Sequence, residues 1–244
     1  MELPRSNPDS GSRAEAKVRL QNKLLSLAAG GLVLVGLTGQ ASATPLSALL
    51  VAGATLTSGD GNLTFSNFSA VVTGSLLDTS GNNYDVAALP TGFELTGPFL
   101  VADGHAGDMV LNYTVTAIQN GITDVHLFQN GTFTGAGITG NAAAVSETVF
   151  HSGTPIANLN TIGTSGGAVV LGLTDEATLP GGPFQTLDVK KDISVTTIAG
   201  GLGSGAHISI IDQTFTTVPE PGTLLLGSAG LIGLVGFGRK RVRQ

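Results

Sequence analysis

The chain has 244 residues, only 11% of them charged, with 36 Gly, no Cys and no Trp. The lack of Cys excludes a disulfide scaffold, a thiolate metal site and a thiol nucleophile, and the abundance of Thr, Ser, Val, Ile and Gly is the composition of short strands joined by tight turns. The net charge of −6 hides a segregation: of eleven Lys and Arg, five precede residue 24 and four follow residue 238, while residues 44–217 hold thirteen acidic side chains against Lys190 and Lys191. Such a middle repels nucleic acid and suits cations or solvent.

At the N-terminal end, the basic stretch carrying Arg13, Lys17, Arg19 and Lys23 leads into an apolar run over residues 24–37 and then Gln40-Ala41-Ser42-Ala43. A positive region, an apolar run and an Ala-x-Ala site are the parts of a secretory signal, so cleavage is expected between Ala43 and Thr44. The basic leader is long for such a signal. A start near Val18 or Leu20 would leave an ordinary one.

From residue 45 to 217 no long amphipathic helix is evident. Residues 111–118 alternate strictly, placing Leu111, Tyr113, Val115 and Ala117 on one face, as a half-buried strand does. Further strands are predicted at 63–68, 70–77, 93–101, 168–174, 193–198 and 207–215. Residues 124–129 run into Asn130-Gly131 and then 132–134, the strongest hairpin signal in the chain. Turn clusters at 80–83 and 179–183 separate these runs. Eight or so short strands with polar turns predict an all-β fold, an antiparallel β-sandwich of jelly-roll type. No repeat of fixed period supports a solenoid.

Several motifs are weighed against this background. Residues 135–140, Gly-Ala-Gly-Ile-Thr-Gly, match the dinucleotide fingerprint, but no acidic residue stands at 155–165 and no βαβ pattern surrounds them, so a Gly-rich loop is the better account. Residues 163–167, Gly-Thr-Ser-Gly-Gly, fit a nucleophile elbow around Ser165, which needs a helix where 168–171 read as a strand. No catalytic residue is therefore assigned. Asp78 to Asp85, and the group Asp103, His105 and Asp108, have the oxygen-rich turn character of calcium loops, although solvated Asx turns explain them equally. No cofactor is expected, with calcium as the one candidate, and no metal ligands are assigned. His126, His151 and His207 stand alone at strand positions. Glu94 and Glu147 have no recognisable partner carboxylate, and the sequence does not supply their separation.

The C-terminal stretch has three parts: Val218-Pro219-Glu220-Pro221-Gly222-Thr223, an uncharged run over 223–238, and Arg239-Lys240-Arg241-Val242-Arg243. Sixteen helical residues reach about 24 Å, just short of a bilayer core, and residues 218–222 with a snorkelling Arg239 make up the difference. The basic cluster is expected to stay cytoplasmic. Two prolines hold one carboxylate on an extended backbone beside the membrane, which suits recognition by a membrane peptidase. Together with an N-terminal signal, this arrangement resembles the PEP-CTERM proteins of Gram-negative bacteria. The resemblance implies that Pro219, Glu220 and Pro221 form a sorting motif processed by exosortase, and it implies an association with exopolysaccharide or biofilm.

The expected organisation is a signal peptide at 1–43, an exported sandwich at 44–217 flanked by the signal helix and a transmembrane helix, and a sorting tail at 218–244. Expected partners are signal peptidase, exosortase, the membrane during sorting, and exopolysaccharide or other matrix components, with no nucleic acid. The expected location is the cell surface or extracellular matrix, after transit through the inner membrane. The leading reading is a non-enzymatic surface or matrix protein. A carbohydrate-binding or adhesive module is the alternative, and exposed Tyr84 or Tyr113 would favour it. A secreted hydrolase is the third, favoured by a cleft where Asp and His converge.

Overall fold

A computed structural model describes residues 42–76, 80–134, 140–165, 173–199 and 203–218. All of them lie in the unit spanning Gln40–Gln244. The order is β1 (Thr44–Pro45), α1 (Leu46–Leu49), β2 (Thr55–Thr57), β3 (Leu63–Gly74), β4 (Asp85–Leu89), β5 (Gly92–Ala102) and β6 (Ala106–Ala117), then β7 (Ile122–Thr134), β8 (Ala142–His151), β9 (Thr154–Thr164), β10 (Thr174–Thr178), β11 (Thr186–Thr196) and β12 (Gly205–Thr217).

Two six-stranded antiparallel sheets form, one in the order β1-β4-β5-β12-β7-β10 and the other β2-β3-β6-β11-β8-β9. The expected all-β sandwich is present. Within it β5 pairs with β12, β6 with β11, β7 with β10 and β8 with β9. These pairings are nested around the β8–β9 turn at residues 152–153, so the fold is a long antiparallel hairpin rolled into two layers, the jelly roll.

Alternation sends one face of each strand between the sheets. In β6, Leu111, Tyr113, Val115 and Ala117 are all buried, as their spacing predicts. Aromatic rings fill the centre: Phe93 meets Phe65 edge-on at 5.1 Å and Tyr113 at 5.2 Å, and Phe68 stacks on Tyr113 at 5.6 Å. Tyr84 packs on Phe99 at 4.8 Å and over Gly97, where an added Cβ would lie 2.2 Å from its ring. Both tyrosines are therefore core residues, and the surface platform that would have favoured sugar stacking is not built from them.

Two expectations are corrected. Asn130-Gly131 makes no hairpin, because β7 runs straight through it and Gly131 is absent from the positive-φ residues that such a turn requires. Opposite it, β12 carries a bulge between Ile208 and Ile211, and the Ser209 hydroxyl donates to Asn130 Oδ1 at 2.6 Å. Long-range pairing has overridden local turn chemistry. The separate strands expected at 63–68 and 70–77 are one strand, β3, which absorbs a bulge at Asn67 in the left-handed region at φ 56°.

Among the described residues no helix is long and apolar enough to cross a membrane. The signal and transmembrane helices were expected within residues 1–43 and 218–244, nearly all of which lie outside the described residues.

Candidate functional site

On the outer face of the first sheet, β7, β10 and β12 frame a groove of about 500 Å³ lined by His126, Phe128, Glu176, Asp212 and Thr214 among others. Pairing dictates this grouping: His126 stands opposite Thr214 on one side and Glu176 on the other, while Phe128 stands opposite Asp212 and Thr174. Each residue occupies the outward phase of its strand. His126 Nδ1 lies 3.3 Å from Glu176 Oε2, and its Nε2 lies 3.1 Å from Thr216 Oγ1. Asp212 faces Glu94 across β5. Partial burial, and then the nearby Glu94 carboxylate, hold the Asp212 carboxyl above the usual range. The groove is thus acidic, with one half-buried aromatic ring in its floor.

Thr216, His126 and Glu176 form a hydroxyl, imidazole and carboxylate in series, the order of groups that activates a nucleophile. Acyl transfer also needs N–H donors aimed at the developing oxyanion. Here β12 lies between β5 and β7, so its backbone N–H groups serve the two ladders. The β12–β5 ladder ends at Thr214, and the β12–β7 register shifts between Thr216 and Thr217.

A second polar group lies inside the sandwich and was not anticipated. Lys191, Glu147, Gln213 and Gln129 are at most 2% exposed. Lys191 Nζ donates to Glu147 Oε2 and, at 2.7 Å, to Gln213 Oε1. Gln213 Nε2 donates to the His126 carbonyl at 3.1 Å, so the interior group connects to the backbone beneath the groove. Gln129 Nε2 donates to the Ala143 carbonyl at 3.2 Å. Burial pushes the Glu147 carboxyl up against the opposing pull of Lys191, and pushes the Lys191 amine down against that of Glu147. Glu147 Oε1, Gln129 Oε1 and the Tyr113 hydroxyl are buried without a hydrogen-bond partner among the described residues. The signal was in the sequence: Lys191 interrupts Leu187, Val189, Ile193 and Val195 on the buried phase of β11, and Glu147 interrupts Ala143, Val145 and Val149 on β8.

The residues singled out from sequence are dispersed. Ser165 is tied to Asn141, with its hydroxyl accepting the Asn141 N–H at 3.0 Å and its own N–H donated to the Asn141 carbonyl at 2.8 Å. It closes the open end of the β8–β9 hairpin, and residues 166–172, where an elbow needs its helix and where a strand was expected over 168–174, lie outside the described residues. Of the fingerprint at 135–140, all but Gly140 lies outside the described residues, as do Asp78 and Thr79 of the first acidic loop. In the second, Asp103 lies in the β5–β6 turn, His105 pairs with Ser75 at 3.3 Å, and Asp108 sits on β6 beside Asp192 of β11. Among the described residues no three His, Asp or Glu converge on a metal position. Ala43 and Thr44 precede α1, while Pro219, Glu220 and Pro221 lie outside the described residues.

Solved structures similar to this chain include TmCBM61 in complex with β-1,4-galactotriose, at 11% identity and a TM-score of 0.32 over 62% of this chain and 90% of that one. The enzymatically active domain of a tailspike protein of bacteriophage CBA120 follows at 17% identity and 0.26, over 62% of this chain and 20% of that one. Carbohydrate-binding modules from the β-sandwich superfamily follow at 15% and 0.26, over 64% and 56%. No curated protein matches the chain. A family model described as the PEP-CTERM protein-sorting motif matches residues 217–241, beginning on the last residue of β12. The tail that follows β12 thus carries the PEP-CTERM protein-sorting motif, which supports an exported protein sorted by exosortase.

Proposed function

We propose that the protein is a non-enzymatic component of the cell surface or exopolysaccharide matrix. Signal peptidase cuts between Ala43 and Thr44, and residues 44–217 fold as the exported jelly roll. Pro219-Glu220-Pro221 is presented to exosortase while residues 223–238 hold the chain in the membrane. The observation that carries this reading is the sorting motif at 217–241, which starts where the fold's last strand stops.

Intact mass of the protein recovered separately from matrix and membrane fractions of its host tests the reading. A matrix form that starts at Thr44 and ends within 219–222 is expected. A membrane form that keeps Arg239 to Gln244 would make the tail a permanent anchor and overturn it.

The groove favours a second reading, in which the jelly roll binds matrix polysaccharide through Phe128 with Glu176 and Asp212 as hydroxyl acceptors. Affinity electrophoresis in gels containing the host polysaccharide tests this. Phe128→Ala is expected to weaken retardation about tenfold, the loss of one ring-stacking contact of roughly 1.4 kcal/mol, and equal retardation of the variant would remove the groove from the account. Release of reducing ends during the incubation would replace binding by hydrolysis.

A further inference from the structure

We propose that Lys191 and Gln213 become joined by an isopeptide bond, formed with loss of ammonia and with Glu147 as the proton carrier. The three side chains come from three strands, β11, β12 and β8, and meet between the sheets. Lys191 Nζ donates to Gln213 Oε1 at 2.7 Å, which places the amine beside the side-chain amide that it would attack. The Gln213 amide cannot swing away, because its nitrogen is held by the His126 carbonyl at 3.1 Å. Glu147 Oε2 takes the same Lys191 amine, and Glu147 Oε1 has no hydrogen-bond partner among the described residues, leaving one oxygen to carry a proton.

Reaction requires an amine that has given up its proton and a carbonyl that is offered one. Burial works toward both, raising the Glu147 carboxyl and lowering the Lys191 amine. Lys191 and Gln213 are fully buried and Glu147 is 2% exposed, so water does not compete for the amide. Fixed placement replaces a bimolecular encounter by an intramolecular one, which lowers the barrier by several orders of magnitude in rate.

The atoms balance without another reagent. The Lys191 ammonium passes a proton to Glu147, and the free amine attacks the Gln213 side-chain carbonyl carbon, forming the new C–N bond. The Glu147 acid stabilises the oxygen of the tetrahedral intermediate. The attacking nitrogen's surplus proton reaches the departing nitrogen through Glu147, the bond from the amide carbon to Nε2 breaks, and nitrogen leaves as ammonium. Nothing is oxidised or reduced. The product ties the central strand of one sheet to the central strand of the other.

The test is the denatured intact mass of the full chain, followed by tryptic mapping. Between Lys23 and Arg239 the only tryptic sites follow Lys190 and Lys191. The unlinked chain gives a peptide that begins at Asp192, whereas the isopeptide bond blocks the cut after Lys191, so in the linked chain both reacting residues fall in the peptide that begins at Lys191. The expected result is a mass about 17 Da low, one ammonia, found in that peptide, with no backbone fragment ions between residues 191 and 213. Full mass would overturn the proposal and leave an ordinary buried ion pair. So would the same loss mapped to a succinimide at Asn130-Gly131. A loss of about 18 Da joining residues 147 and 191 would overturn the choice of Gln213. Glu147→Gln is expected to keep the full mass; a linked Glu147→Gln chain would remove Glu147 from its role, and if that variant fails to fold the wild-type mass still decides.

Discussion

His126 with Glu176 and Lys191 with Glu147 are both basic groups beside carboxylates, one pair on the outer face of the sandwich and one inside it. The outer pair is 3.3 Å apart, with side chains 38% and 79% exposed. The side chains of the inner pair have no exposure. Water screens the first, which leaves a contribution of about 0–1 kcal/mol even when the imidazole is charged. The second has lost its hydration, at several kcal/mol per ion, and is tolerated only because each member supplies what the other needs. The lesson is that position, more than charge, decides whether such a contact is disposable.

Removing one inner partner should produce the largest effect. Glu147→Ala leaves Lys191 buried without its anion and is expected to lower stability by about 3–5 kcal/mol in urea unfolding. The double variant Lys191→Met with Glu147→Leu should recover at least half of that loss. A double variant as unstable as the single one would show that the pair itself, link included, is the source of stability.

Tyr113→Phe asks whether the interior tolerates its unpaired groups. The Tyr113 hydroxyl is buried without a hydrogen-bond partner among the described residues, so deleting it should raise stability by about 1 kcal/mol in the same measurement. A loss would reveal a hydrogen bond made by that hydroxyl.

Asp108 supplies a smaller, pH-dependent effect on the outer face of the second sheet. Burial, and then Asp192 beside it, raise its carboxyl from 3.8 to about 6. The folded chain therefore holds this proton more tightly than the unfolded one. Its contribution is full below pH 3.8, declines as pH rises, and is gone above about 6. Solvent screening keeps it below about 1 kcal/mol. Asp108→Asn should flatten the stability profile over that interval relative to wild type, measured by thermal unfolding at a series of pH values. An unchanged difference between the two proteins across the interval would reject the assignment.

Smallest of all, Glu176→Gln at the outer pair should change stability by no more than about 0.5 kcal/mol. A larger loss would mean that the His126 and Glu176 contact is structural after all.

Sequence made the strand phases legible wherever alternation was clean, as in Leu111, Tyr113, Val115 and Ala117. It failed where the deciding partner was distant. Asn130-Gly131 carries turn chemistry, yet β12 pairs along both sides of it and the chain runs straight. The hairpin that does form, between β8 and β9, turns on Ser152 and Gly153 at φ 51° and 78°, and Ser-Gly beside an Ala-rich strand announces little. The interior polar group was readable as charged residues on apolar phases. The groove was not, because residues 126, 176 and 212 meet only through the sheet order.

The position of β12 has a mechanical consequence. It is the strand that leads to the sorting motif, and it is paired on both sides, with β5 and with β7. Tension applied along the tail at Thr217 acts along two ladders at once, loading their hydrogen bonds in shear rather than opening them one by one. β1, at the other end of the described chain, is held to β4 by two residue pairs at a sheet edge and would peel. A chain held by its tail is thus gripped through a strand paired on both sides.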